Sequence, residues 1–301
     1  KTVFFFLSLP HGNEYNLLIT HTADLAPYNI PLAGALVANK QKNRYPYILP
    51  YDHCRVRLSV QNQNPNSDYI NASFGGGSER DFICTQGPLP NTVADFWRMV
   101  WEQNVRVIVM VTALRQKSTI MCDKYWSVEE GTVRETCPSF SLLNFVLTYL
   151  YLRDFPNDRI ITHYYYPSWP DQGVPNPVSL CAFAEHVRQH LEALPRLGPA
   201  VVHCSAGVGR SGTFVTVVWL MQLSVRGIPP DIKAAVKDLR LHRMWTVQTL
   251  VGQHRLVICS NAKNNDLSCP LETLKGTNGS NSDAAEQNPQ EMWGGLHDSL
   301  C

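Results

Sequence analysis

The feature that most limits how this chain can fold is the run "PAVVHCSAGVGRSGTF" (199–214). The segment 199–204 reads as a short buried strand, because it is apolar and β-branched with no polar face. A loop of small residues follows, and an apolar helix is predicted from about Ser211 to Val225. Strand, tight loop and helix start together form a place for an anion. Backbone N–H groups turn inward and the helix N-terminus adds partial positive charge. Gly207 and Gly209 let the backbone curl, and Ser205, Ala206 and Val208 complete the cradle. Arg210 offers a planar fork for two oxygens. Cys204 stands at the base, where such a field favours thiolate over thiol and makes the sulfur an in-line nucleophile. Ser211 is placed to donate a hydrogen bond to that sulfur, and His203 to order the loop through its ring N–H.

Plainer readings exist for each part. A lone buried cysteine is usually packing, and a Gly-rich turn is often only a turn. A nucleotide-binding loop would need a lysine after the glycines, and none follows here. The combination His-Cys-x5-Arg-Ser is nonetheless specific.

The rest of the chain supplies the setting. The 301 residues are 44% hydrophobic and 17% charged, enough to build a sizeable core. A net charge of +1 gives no global reason to bind nucleic acid or a membrane surface. The nine cysteines show no C-x-x-C pair and no regular spacing, so neither a zinc ribbon nor a disulfide framework is expected. A reducing, cytoplasmic compartment fits, and in it the sequons at Asn71 and Asn278 carry no meaning. The apolar runs at 3–9 and 142–152 are too short to span a bilayer. The chain is compatible with being the cytoplasmic part of a longer membrane protein.

Residues 1–37 show no period and stay unassigned. "KNRYPYILPYDHCRVRLSV" (42–60) reads as strand-like, and 62–68 and 74–81 read as turns. An amphipathic helix is predicted over 91–103, a buried strand over 105–114, and helices over 178–194, 230–243 and 247–259. After Asn261 the composition shifts to Asn, Ser, Gly and Glu, which predicts a disordered tail over 262–301. Alternating strands and helices give an α/β domain with a mostly buried sheet over 38–261.

"VHCSAGVGRSGTF" resembles the signature loop of the protein tyrosine phosphatases. Further blocks follow that family's order over about 42–261: "KNRY" (42–45), "DYINASF" (68–74), "TQGPLPNTVADFWRMVWE" (85–102), "KYW" (124–126), "SWPDQGVP" (168–175) and "VQT" (247–249). Receptor-type members look most similar. The resemblance implies a central twisted mixed sheet flanked by helices (α/β, or α+β by some schemes). It implies hydrolysis of phosphotyrosine in proteins, a phosphoric monoester hydrolase acting in signal transduction, with no metal or organic cofactor. Asp171 would be the general acid and then the base, Trp169 a hinge, and Gln248 the residue that positions water. Tyr45 would stack on the substrate ring and make the pocket deep enough for phosphotyrosine but not for phosphoserine. Arg44 is expected in structural pairs.

Several positions depart from the family pattern. Tyr47 stands where Asp or Asn is usual, Gln116 where a Glu holds the signature arginine, and Met121 where a Lys is usual. Thr246 replaces a Met and His254 a Tyr. The 127–165 stretch lacks the usual strand pattern, and "FVLTYLYLRDF" (145–155) fits poorly there. Loss of the Glu would loosen Arg210, so a catalytically weak domain that binds phosphotyrosine proteins is the competing reading. A lipid-directed or serine- and threonine-directed phosphatase fits less well, because Tyr45 implies a deep pocket and no lysine lies within 201–225.

Overall fold

The computed structural model describes residues 2–6, 30–76, 81–126, 133–135, 145–152, 158–169, 175–194, 198–248 and 257–261, with 2–6, 133–135 and 257–261 described through their backbone alone. In chain order the strands and α-helices are β1 (Thr2–Phe6), α1 (Leu32–Ala35), β2 (Arg55–Arg57), β3 (Tyr69–Gly75), β4 (Phe82–Thr85) and α2 (Val93–Glu102). Then come β5 (Val107–Met110), β6 (Arg115–Gln116), β7 (Thr119–Ile120), β8 (Val133–Glu135), β9 (Val146–Leu152), β10 (Arg159–Tyr165) and α3 (Pro177–Ala193). β11 (Ala200–His203), α4 (Gly209–Val225), α5 (Ile232–His242) and β12 (Val257–Asn261) complete the order.

Eight strands form one mixed sheet in the order β2-β3-β4-β11-β5-β10-β9-β8. Its middle is parallel: β4, β11, β5 and β10 run together. Its flanks are antiparallel. β11 enters late in the chain yet sits between β4 and β5, and the crevice beyond the carboxyl end of such a strand is where open α/β sheets bind ligands.

The alternation of β11 explains its position. Ala200 and Val202 face a core built with α3, α4 and α5, while Val201 faces a second core with Phe96, Met99 and Val100 of α2. All four residues of β11 are buried. Each such valine contributes roughly 1.5–3 kcal/mol. α4 is apolar on every side because β11, α3 and α5 surround it, and its residues 211–218 are all buried.

Some elements differ from the sequence expectation. Of the strand-like run 42–60, only Arg55–Arg57 pairs in the sheet. Pro46 and Pro50 cannot donate to a ladder, and the backbone there is held instead by side chains. Asn71 Nδ2 donates to Ile48 O at 2.7 Å, and Gln86 Nε2 donates to Lys42 O at 2.8 Å. The poorly fitting run 145–155 contains β9, which pairs along seven residues with β10 and carries β8 on its outer edge. The helix predicted over 247–259 is not observed as such. Residues 249–256 lie outside the described set, and 257–261 form β12, antiparallel to β1 of the unassigned N-terminal stretch. Residues 262–301, where the tail was predicted, also lie outside it. Asn71 is 1% exposed, so its sequon is closed to modification in the folded chain.

Candidate active site

β11 ends at His203, and the chain leaves the sheet through Cys204. At Gly207 φ is +74°, and a Cβ there would stand 2.2 Å from Thr85 O. Only glycine fits this turn. The turn aims the Gly207 N–H at Cys204 Sγ, 3.2 Å away. α4 then starts at Gly209 with no capping side chain and no acidic residue in its first turn, so its partial positive end faces the loop uncompensated.

Arg210, in that first turn, donates to two neutral oxygens. Its Nη1 donates to Thr112 Oγ1 at 2.9 Å and its Nη2 to Gln116 Oε1 at 3.0 Å. Gln116 thus stands where the family's Glu is usual, and its amide oxygen accepts from the arginine. Gln116 Nε2 in turn donates to the carbonyl of Trp169 at 3.2 Å. Trp169 itself is buried in the core beside α3.

The back of the loop rests on Arg243. Its guanidinium is fully buried and donates to Gly207 O at 2.9 Å, Ala206 O at 3.1 Å, Asn71 Oδ1 at 2.8 Å and Ser73 Oγ at 3.2 Å. Arg240 does the same for the neighbouring turn, donating to the carbonyls of Thr246 and Val247 at 3.0 and 3.1 Å. Neither arginine was singled out from sequence. A signal was present for one of them: Arg240 follows Val236 by four residues and so continues the buried face of α5, whereas Arg243 is the extended residue that ends the helix.

Beneath the loop lies a buried chain of three rings. His203 Nδ1 contacts Cys204 O at 3.2 Å, and a carbonyl only accepts, so Nδ1 carries the proton. Burial lowers the His203 pKa to about 4, so the ring is neutral and its Nε2 is bare. Tyr125 Oη donates to that Nε2 at 2.7 Å and, its proton spent, accepts from His163 Nε2–H at 2.8 Å. His163 Nδ1 is then the unprotonated nitrogen, and it is buried without a hydrogen-bond partner. Burial, and secondarily His203, lower the His163 pKa to about 3. Tyr125 and His163 act from segments distant in sequence, and sequence reasoning assigned neither.

The remaining candidates fall as follows. Tyr45 lies beside the loop, its ring packed on Ile48, Ala206 and Val208, and its Oη is 2.8 Å from Ser205 Oγ. Gln248 lies over Gly209, where a Cβ would stand 3.4 Å from Gln248 Oε1. Ser211 corrects the sequence expectation. Its Oγ is buried and makes no hydrogen bond, and the bond to the sulfur comes from Gly207 N–H instead. Arg44 makes the expected structural contacts, donating to Gly87 O and Pro88 O and pairing with Asp123 at 2.7 Å. Tyr47 is exposed, Met121 is buried, and Thr246 Oγ1 donates to Arg243 O at 2.7 Å. Asp171 and His254 lie outside the described residues.

A mixed sheet whose late central strand opens into a Cys-x5-Arg loop defines a class of phosphate-handling protein. The protein-tyrosine phosphatase family profile matches residues 39–259. The chain is 41% identical over 227 residues to the human receptor-type tyrosine-protein phosphatase eta, covering 72% of this chain and 17% of that protein. It is 40% identical over 224 residues to the human tyrosine-protein phosphatase non-receptor type 2, covering 70% and 53%. Among solved structures it resembles PTPN18 in complex with HER2-pY1196 phosphopeptides, with a TM-score of 0.72 at 33% identity over 81% of this chain and 88% of that one. The chain belongs to the protein-tyrosine phosphatase family. It spans about a fifth or less of the receptor-type relatives and about half of the non-receptor ones, and similarity to the two kinds is alike. Among the described residues no helix is long and apolar enough to cross a membrane.

Proposed function

We propose that this chain hydrolyses phosphotyrosine in proteins through a cysteinyl-phosphate intermediate. The observation that carries the reading is the loop itself: a sulfur at its base that accepts a backbone N–H, an arginine fixed beside it, and an uncapped helix start. In the first step the Cys204 thiolate attacks phosphorus and the P–O bond to tyrosine breaks. Asp171 gives its proton to the departing phenolate oxygen, a role that rests on the "SWPDQGVP" resemblance. Arg210 and the N–H groups of 205–210 hold the remaining oxygens. In the second step water, placed by Gln248, attacks phosphorus. Asp171 takes its proton, the S–P bond breaks, and phosphate leaves. Tyr45 forms one wall, deep enough for an aryl phosphate. The substrates are phosphotyrosine-bearing proteins, in keeping with the phosphopeptides bound by the PTPN18 structure.

Steady-state hydrolysis of p-nitrophenyl phosphate across pH 5–8 tests this. Turnover abolished in Cys204→Ser and reduced about 10²-fold or more in Asp171→Ala is expected, the range general acid catalysis supplies. A wild type that binds a phosphotyrosine peptide and turns nothing over would make the chain a binding module.

A further inference from the structure

We infer that Gln116 is a positioning residue whose amide joins the phosphate-holding arginine to the backbone that leads to Asp171, a task that a glutamate at 116 would not perform. The inference rests on the phosphatase reading of the site. Gln116 sits on β6, outside the signature loop, and touches both sides at once. Its Oε1 accepts from Arg210 Nη2 at 3.0 Å, and its Nε2 donates to Trp169 O at 3.2 Å.

The chemistry of the two neighbours leaves the amide one orientation. A guanidinium only donates, and a carbonyl only accepts. Flipping the amide would set N–H against N–H on one side and oxygen against oxygen on the other. A carboxylate at 116 would bind Arg210 more strongly, because that bond becomes charge-assisted. Its second oxygen, however, would face the Trp169 carbonyl with no proton between them. So restoring the family's usual Glu is expected to tighten one contact and break the other.

Both ends bear on the reaction. Arg210 stands in the first turn of α4, directly after the loop that Cys204 begins. Trp169 is buried, and Asp171 follows it by two residues. The tether therefore joins Arg210 to a backbone point two residues before the proposed acid in the chain. A small displacement of either costs rate.

The test compares wild type with Gln116→Glu and with Gln116→Met, which keeps the volume but removes both bonds. Three quantities separate the two ends. Inhibition by inorganic phosphate reads Arg210. The ratio of kcat on phenyl phosphate to kcat on p-nitrophenyl phosphate reads the acid, because phenolate needs a proton on leaving and nitrophenolate largely does not. Hydrogen exchange of the peptide carrying Trp169 reads the tether without any turnover.

For Gln116→Glu the expected result is phosphate inhibition as strong as wild type, a rate ratio lower by about three- to tenfold, the size of one lost hydrogen bond, and faster exchange around Trp169. For Gln116→Met, phosphate inhibition weakens as well. A Gln116→Glu enzyme with the wild-type ratio and wild-type exchange would overturn the inference. A wild type that hydrolyses neither ester would defeat the phosphatase reading, and the exchange comparison would then still decide whether Gln116 holds Trp169.

Discussion

Acid should unfold this protein through the two histidines under the signature loop. His163 and His203 are both fully buried and both neutral, with pKa values lowered to about 3 and about 4. In the unfolded chain each returns to about 6.5. The unfolded state therefore binds protons that the folded state refuses, and stability falls as pH drops below 6.5 toward the native values. At pH 5.5 each unfolded histidine carries about nine-tenths of a proton, worth about 1.4 kcal/mol, so the pair removes about 3 kcal/mol relative to pH 8. That is a large share of the 5–15 kcal/mol that holds a typical domain together. His186 and His190, also lowered by burial, act in the same direction. Urea unfolding at half-unit steps from pH 8 to 5.5 measures this, and stopping at 5.5 keeps most carboxylates out of the titration. His163→Gln keeps an amide to donate to Tyr125 and cannot take up a proton. It should lose about 1.4 kcal/mol less than wild type over the same range. Stability that is flat from pH 8 to 5.5, or an unchanged slope in His163→Gln, would show that the rings are charged in the folded state and that the derived proton positions are wrong.

Two further predictions concern the loop and its sulfur. Gly207→Ala places a methyl 2.2 Å from Thr85 O at a φ of +74°, and should cost at least about 2 kcal/mol in thermal or urea unfolding along with most turnover; wild-type stability would mean the turn is not required. Burial pushes the Cys54, Cys84 and Cys122 thiols up to about 12, which keeps them protonated and slow to react. Mild peroxide at neutral pH should therefore oxidise Cys204 before those three, as mass spectrometry of the modified peptides would show; earlier oxidation of any of them would contradict the argument.

What could be read in the chain and what could not divide by distance along it. The signature loop was legible because it is local. One apolar strand, five small residues, an arginine and an apolar helix fall within 26 residues, and the physics of a tight turn at a helix start acts on that scale. β11, α2, α3, α4 and α5 were legible for a similarly local reason: burial on one face writes a period into a helix, and burial on all faces leaves a continuous apolar run. β12 was not. "LVIC" suits a helix or a strand, and short apolar runs carry no period long enough to choose. Pairing with β1, more than 250 residues away, made the choice. β9 likewise became a strand because β10 offered an open edge, not because its own pattern insisted.

The supports of the site were decided by the fold alone. Arg243 reaches a loop 36 residues earlier and strand β3 some 170 residues earlier. Tyr125 joins two histidines from β10 and β11 only because those strands flank β5. The meaning of Gln116 also changed. As a lone letter it was a lost charge, and in the folded chain it is a donor and an acceptor with a partner on each side. The sequence by itself determined which atoms meet phosphate, since those atoms are neighbours in the chain. Only the tertiary structure decided what holds them still. The buried donors and acceptors that do so come from strands and helices far apart in the chain, and long-range packing assigns each of them its partner.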